Sequence, residues 1–115
     1  MSRSILLQLA RDSIVEVFQA QNNIERQTLL QKHPLLHKKI PLELKLILNE
    51  KSIGSYSIGD AKESLLESII LAAKKAAFED DTTEILTLSN YLACEIELTL
   101  YTEEGILSQK DEALI

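Results

Sequence analysis

The stretch GDAKESLLESIILAAKKAAFEDD, Gly59 to Asp81, is the longest uninterrupted helical signal in the chain. At about 100° per residue, Leu65, Leu66, Ile69, Ile70, Ala72, Ala73, Ala76 and Ala77 gather on one side, and Glu63, Ser64, Glu67, Ser68, Lys74, Lys75 and Glu79 on the other. The spacing predicts a helix from Asp60 onward, with the Asp60 carboxylate capping the amides of the first turn. Large side chains at its start give way to alanines at its end, so the C-terminal half suits a closer approach to whatever it packs on. A sheet is the natural partner.

On both sides of this helix the period changes to two. Behind Pro41, Leu42, Leu44, Leu46 and Leu48 alternate with Glu43, Lys45, Ile47 and Asn49, which predicts a half-buried strand. A turn at Asn49, Glu50 and Lys51 leads to a second strand, Ser52 to Ile58, giving a hairpin. Gly54 inside that strand fits either a bulge or a place where another backbone or a ligand comes close, or else a weak point covered by the neighbouring Tyr56. Downstream, Leu92, Cys94, Ile96, Leu98 and Leu100 alternate with Ala93, Glu95, Glu97, Thr99 and Tyr101, a third strand with one buried face. Between helix and third strand, Asp80, Asp81 and Thr82 form a polar break, and residues 83–90 carry short helical turns. Glu103 to Ile115 adds an edge strand and a frayed tail.

At the other end, Leu6, Leu9, Ala10, Ile14 and Val17 share one helical face, while Gln8, Arg11, Asp12, Glu16 and Gln19 face away and Leu7 and Phe18 flank the stripe. Asn22 and Asn23 open a short second helix that runs to about Lys32 and is limited by Pro34. The fold class expected is α+β: a small, mainly antiparallel sheet of about three strands with helices packed on one face.

A chain of 115 residues with 45% apolar and 26% charged residues, and no linker-like stretch, forms one domain spanning residues 1–115. The net charge of −6 argues against nucleic acid or an anionic membrane as partner. The basic cluster Lys32, His33, His37, Lys38 and Lys39 is read as a solvated loop. No apolar run approaches the roughly 18 residues of a membrane span, and the N-terminal run Ile5 to Leu7 is cut short by Gln8, Arg11 and Asp12. With the single Cys94 this indicates a cytoplasmic protein.

No phosphate loop, dinucleotide fingerprint, zinc spacing, nucleophile elbow or EF-hand is present, so no catalytic, cofactor-binding or metal-binding residue is assigned. Glu95 and Glu97 share one strand face about 7 Å apart, but alternating charge on a wet strand face is the commoner arrangement, with Glu43 and Lys45 available to pair with them. His33 and His37 have a metal spacing only on a continuous helix, which Pro34 opposes. Cys94 reads as a core thiol.

Several pieces in order resemble the AMMECR domain family: Leu6-Leu7-Gln8-Leu9-Ala10-Arg11, then Ser52-Ile53-Gly54, then Ala72-Ala73-Lys74-Lys75-Ala76-Ala77-Phe78-Glu79-Asp80, then Glu84 and Glu95-Ile96-Glu97-Leu98-Thr99-Leu100-Tyr101-Thr102. The family's Leu-Arg-Gly-Cys-Ile-Gly hexapeptide falls on Asn49-Glu50-Lys51-Ser52-Ile53-Gly54, so its Arg and Cys are absent and only Ile53 and Gly54 remain. Members usually continue through a further sheet-and-helix portion, so the chain resembles a short, divergent member. The resemblance implies a non-catalytic binding or accessory protein. The alternative is a subunit or remnant of a modification enzyme working with a radical SAM enzyme and a Memo-type protein, the partners associated with prokaryotic members. Ser52, Ile53, Gly54, Ser55 and Tyr56 are the candidate interaction and family-motif positions. The uncharged strand they belong to is the expected contact edge, for a homodimer or for a different protein.

Overall fold

The computed structural model describes residues 4–21, 24–78 and 87–113. In chain order they form α1 (Ile5–Gln19), α2 (Arg26–Lys32), a 3-10 turn (Pro34–His37), β1 (Leu42–Leu48), β2 (Lys51–Ile58), α3 (Leu65–Phe78), α4 (Leu88–Ala93), β3 (Glu95–Thr102) and β4 (Gly105–Asp111). The strands make one antiparallel sheet in the order β2-β1-β3-β4. The α+β class is therefore as expected, and the edge strand expected within Glu103–Ile115 is β4, which pairs with β3 from Ile96 to Thr102 and brings the sheet from about three strands to four.

Alternation decides which face of the sheet is covered. Leu42, Leu44, Leu46, Ile96, Leu98 and Leu100 are buried beneath the helices, each contributing roughly 1.5–3 kcal/mol relative to exposure. Glu43, Lys45, Glu95, Glu97 and Thr99 occupy the opposite, wetter face. The long helix α3 lies over β1 and β2, and α1 packs alongside α3. Phe18, beside the α1 stripe, meets Phe78 edge-on at 5.4 Å and Tyr91 at 5.6 Å, joining α1, α3 and α4. Val17, expected to be inside, is 44% exposed, since Phe18 takes the inward position at that end.

Several boundaries differ from the sequence expectation. The helix α3 begins at Leu65 rather than near Asp60, which is exposed; the Ser64 hydroxyl accepts from Glu67 N–H at 3.4 Å, and Leu65 N–H donates to the Lys38 carbonyl at 2.6 Å. The third strand begins at Glu95, because Thr87 caps the short helix α4 and Leu92 and Ala93 belong to it. The expected turn at Asn49–Lys51 is a two-residue loop in which Asn49 and Glu50 both have positive φ, 52° and 67°, so Lys51 already belongs to β2. The second helix begins at Arg26 with Glu25 at its N-cap, later than the expected start at Asn22–Asn23, and ends at Lys32 as expected; Asn22 and Asn23 themselves, the expected polar break at Asp80–Thr82 and Glu84 lie outside the described residues.

The helices also bury residues that periodicity assigned to solvent. Ser68 is buried because α3 is flanked by the sheet on one side and α1 on another, which widens its covered face. Arg11 and Glu16 of α1 are buried as well, and each has an opposite charge. The Glu16 carboxylate accepts from Lys74 Nζ at 3.0 Å and from the Ile24 N–H at 2.9 Å. Lys74 is consequently a half-buried partner of a buried carboxylate rather than a solvent-facing lysine.

Candidate functional site

The five positions singled out in the sequence lie together on β2, an outer strand of the sheet: β1 runs along one side, and no described strand pairs along the other. The strand is held from below at Gly54, which pairs with Leu46 and sits directly under α3. A Cβ there would fall 2.1 Å from the Ala76 carbonyl oxygen and 3.1 Å from its carbon. Gly54 thus lets helix backbone rest on strand backbone, and the alanines of α3 supply the matching small surface. Next to it the β1–β2 register shifts: Leu46 faces Gly54 and Ile47 faces Ser52, so Ile53 is the extra residue of a bulge. Of the two readings left open for Gly54, the bulge with close backbone approach is the one observed.

Around this anchor the strand is mild in character. Ser52 and Ser57 are exposed; Ile53, Ser55, Tyr56 and Ile58 are half-buried, and Ile53, Tyr56 and Ile58 pack against the edge of the core. Ser57 Oγ donates to Glu43 at 3.1 Å. From Ser52 to Ile58 no side chain carries a charge. The strand exposes backbone and small polar side chains, with no carboxylate, histidine, cysteine or lysine from Ser52 to Ile58.

A dense polar cluster lies elsewhere and was missed in the sequence. Arg11 Nε donates to Asp111 Oδ2 at 2.5 Å, Nη1 to the Tyr91 carbonyl at 3.3 Å, and Nη2 to the carbonyls of Cys94 and Glu112 at 3.0 and 2.9 Å. The guanidinium also lies 5.1 Å from the Tyr91 ring centroid. Cys94 Sγ donates to the Tyr91 carbonyl at 3.2 Å, and Tyr91 Oη donates to the Arg11 carbonyl at 3.4 Å. Burial pushes the Cys94 thiol up from its ordinary range, opposed by the charge of Arg11. Arg11 spends its donors inside the protein, and no buried side-chain polar atom among the described residues lacks a partner. The cluster therefore ties the middle of α1 to the ends of α4 and β4.

Glu95 and Glu97 emerge on the outer face among lysines. Lys110 Nζ lies 3.4 Å from Glu95, Glu97 is opposite Lys45 on one side and Lys110 on the other, and Lys45 lies 3.7 Å from Glu43. Lys32, His37, Lys38 and Lys39 are exposed around the 3-10 turn, His33 is half-buried, and the Lys38 carbonyl is spent on Leu65. No group of three or more metal-ligating side chains occurs among the described residues. Nor is any described helix long and apolar enough to cross a membrane.

No protein-family model matches the chain, and no curated protein matches it. Among solved structures, the uncharacterized protein PH0010 from Pyrococcus horikoshii is similar over 84% of this chain and 49% of its own, with a TM-score of 0.74 and 22% identity. At that identity the likeness concerns the fold, and this chain spans about half the length of the neighbour it matches.

Proposed function

We propose that this chain is a binding or accessory protein of the AMMECR-like type that captures an extended segment of another protein along β2. The observation that carries this reading is the uncharged outer strand Ser52–Ile58, held against α3 at Gly54 and open along one side. Strand addition draws its affinity from backbone hydrogen bonds, so it needs a rigid edge more than a distinctive set of side chains, and Gly54 supplies the rigidity. The resemblance carried by Ile53-Gly54, the Ala-rich end of α3 and the Glu95–Thr102 strand makes a Memo-type protein or a radical SAM enzyme the first partner to try. Work in the cytoplasm, without nucleic acid, belongs to the same proposal and rests on the lone buried cysteine and the net charge of −6.

A photo-crosslinking residue placed at Ser57, exposed beside that edge, tests the reading in source cells. A discrete adduct to one protein, reduced by Ile53→Pro elsewhere on the strand, is the expected result. Crosslinks that form equally well from position 57 and from Ser89 on α4 would end the β2 reading.

A further inference from the structure

We infer that two copies of this chain pair through β4, antiparallel about a two-fold axis passing beside Leu107, to make one continuous eight-stranded sheet. The starting observation is the outer strand at the far side of the sheet from β2. β4 runs for seven residues, pairs with β3 without a register shift, and contains no proline. It lacks the bulge and the overlying helix backbone that mark β2, so nothing in its own shape blunts it as a pairing edge. It is also where the described chain exposes its most accessible large apolar side chains: Ile106 is 68% exposed, Leu107 56%, and Tyr101, opposite Ile106, 43%.

The position of Leu107 is the telling one. It pairs with Leu100, so it projects on the same side of the sheet as the core leucines, yet it lies uncovered while Leu100 is 3% exposed. A two-fold axis perpendicular to a sheet keeps each face on its own side, so directly paired residues of two β4 strands must share a face. That restricts the axis to particular registers, and their contents differ. Centred on Leu107, the pairing sets Leu107 against its own copy on the core side, Ile106 against Ser108 on the outer side, and Lys110 toward Glu104 at the turn, twice by symmetry. Centred on Ser108, it sets Glu104 near Glu112, a like-charge contact, and parts the two leucines. Centred on Ile106, it leaves Lys110 opposite Thr102. That register sets Ile106 on its own copy but brings no opposite charges together, and the Leu107 register alone of these three combines an apolar self-contact with opposite charges at both ends. Lys110 already lies 3.4 Å from Glu95, and an ammonium with three N–H donors can serve Glu95 and the Glu104 of the second copy together.

This inference is independent of the β2 reading, since it uses the other edge. Light scattering after size exclusion of the full chain at about 100 μM, above the micromolar affinities common to specific interfaces, is expected to give twice the chain mass. Glu104→Lys alone and Lys110→Glu alone each place like charges at both ends and should lower dimer affinity at least about tenfold, while the two together restore it. Leu107→Lys should give monomer, with an unchanged circular dichroism spectrum showing that the fold persists. A strict monomer for the unmodified chain would overturn the proposal. So would a dimer indifferent to Leu107→Lys, or a charge exchange that fails to rescue.

Discussion

The two edges of the sheet are stabilised in different ways. β2 is held along its middle: α3 crosses it with backbone against backbone at Gly54, and a bulge at Ile53 fixes the strand's shape there. β4 is held at its C-terminal end, by Ser4 Oγ donating to Gln109 at 2.6 Å and by Arg11 gripping Asp111, while Ile106 and Leu107 near its start stand clear of the helices. A strand fixed by packing answers to volume; a strand fixed by a buried ion pair answers to charge. Substitutions can separate these two kinds of dependence.

The largest effect is expected at Gly54. Gly54→Val would force the helix off the strand, because the atom that must give way is a carbonyl of Ala76 and not a flexible side chain. A loss of about 3 kcal/mol or more, read from urea denaturation, is expected, approaching the whole stability of a marginal domain. Gly59→Val, with nothing within 4 Å of its added Cβ, should cost far less. Equal midpoints for the two would break the account of β2.

Next comes the grip on β4. Asp111→Ala leaves the buried Arg11 charge without its carboxylate and should cost about 3–5 kcal/mol, whereas Arg11→Met with Asp111→Leu should recover much of the loss. Hydrogen exchange in the single variant should rise first in β4 and leave β2 protected. If both edges open together, the sheet behaves as one unit and the contrast fails.

These two anchors were unequally legible in the sequence. Gly54 stood out because a glycine within a strand pattern has few structural uses, and the alanines at 72, 73, 76 and 77 announced close packing by the helix. Arg11 and Glu16 did not stand out, since on a helical wheel they fall with Gln8 and Asp12 on the polar side. Their burial depends on partners distant in the chain, Asp111 and Lys74, which no local period can reveal. The early start given to the third strand had a similar origin. Leu92, Cys94 and Ile96 alternate as a strand would, but the first of them ends a helix capped by Thr87, and Cys94 is its C-cap. The Asp60 start failed because Ser64-Leu65-Leu66-Glu67 is the stronger capping sequence and the Lys38 carbonyl meets the helix there. For the site, β2 was expected as an edge because its strand is uncharged and carries Gly54, while the register of β4 required the coordinates.

A smaller effect is expected at the second buried carboxylate. Periodicity alone makes Lys74→Glu harmless, but the structure sets a second carboxylate against Glu16, itself 2% exposed. With Lys74 partly solvated, a loss of about 1–2 kcal/mol is expected, and Lys74→Met should cost less by removing the repulsion. Raising the salt concentration should narrow the gap between the two variants. Cys94 offers a related pH test. Its folded thiol titrates above the ordinary 9.0, so the folded state retains its proton where the unfolded chain loses it. Stability from this group is fully present below that value and declines as pH rises beyond it. Alkylation should accordingly proceed only as fast as the domain opens.

The smallest effect should come from the outer face, where Glu95 pairs with Lys110 in water and Glu97 lies between Lys45 and Lys110. Lys110 is half exposed in its contact with Glu95, and an exposed pair of this kind contributes at most about 1 kcal/mol because solvent screens the attraction and both side chains lose freedom. Glu95→Gln and Glu97→Gln should therefore each shift stability by no more than about 0.5 kcal/mol, measured at a concentration low enough to keep the chain monomeric. The comparison with Asp111 is then direct, since Glu95 and Glu97 neighbour lysines on the wet face of the sheet, whereas Asp111 meets Arg11 of α1 in the interior. A large loss on neutralising Glu97 would mean that its carboxylate is engaged in something other than a solvated charge pair. It would then return the paired glutamates of β3 to consideration as a working site.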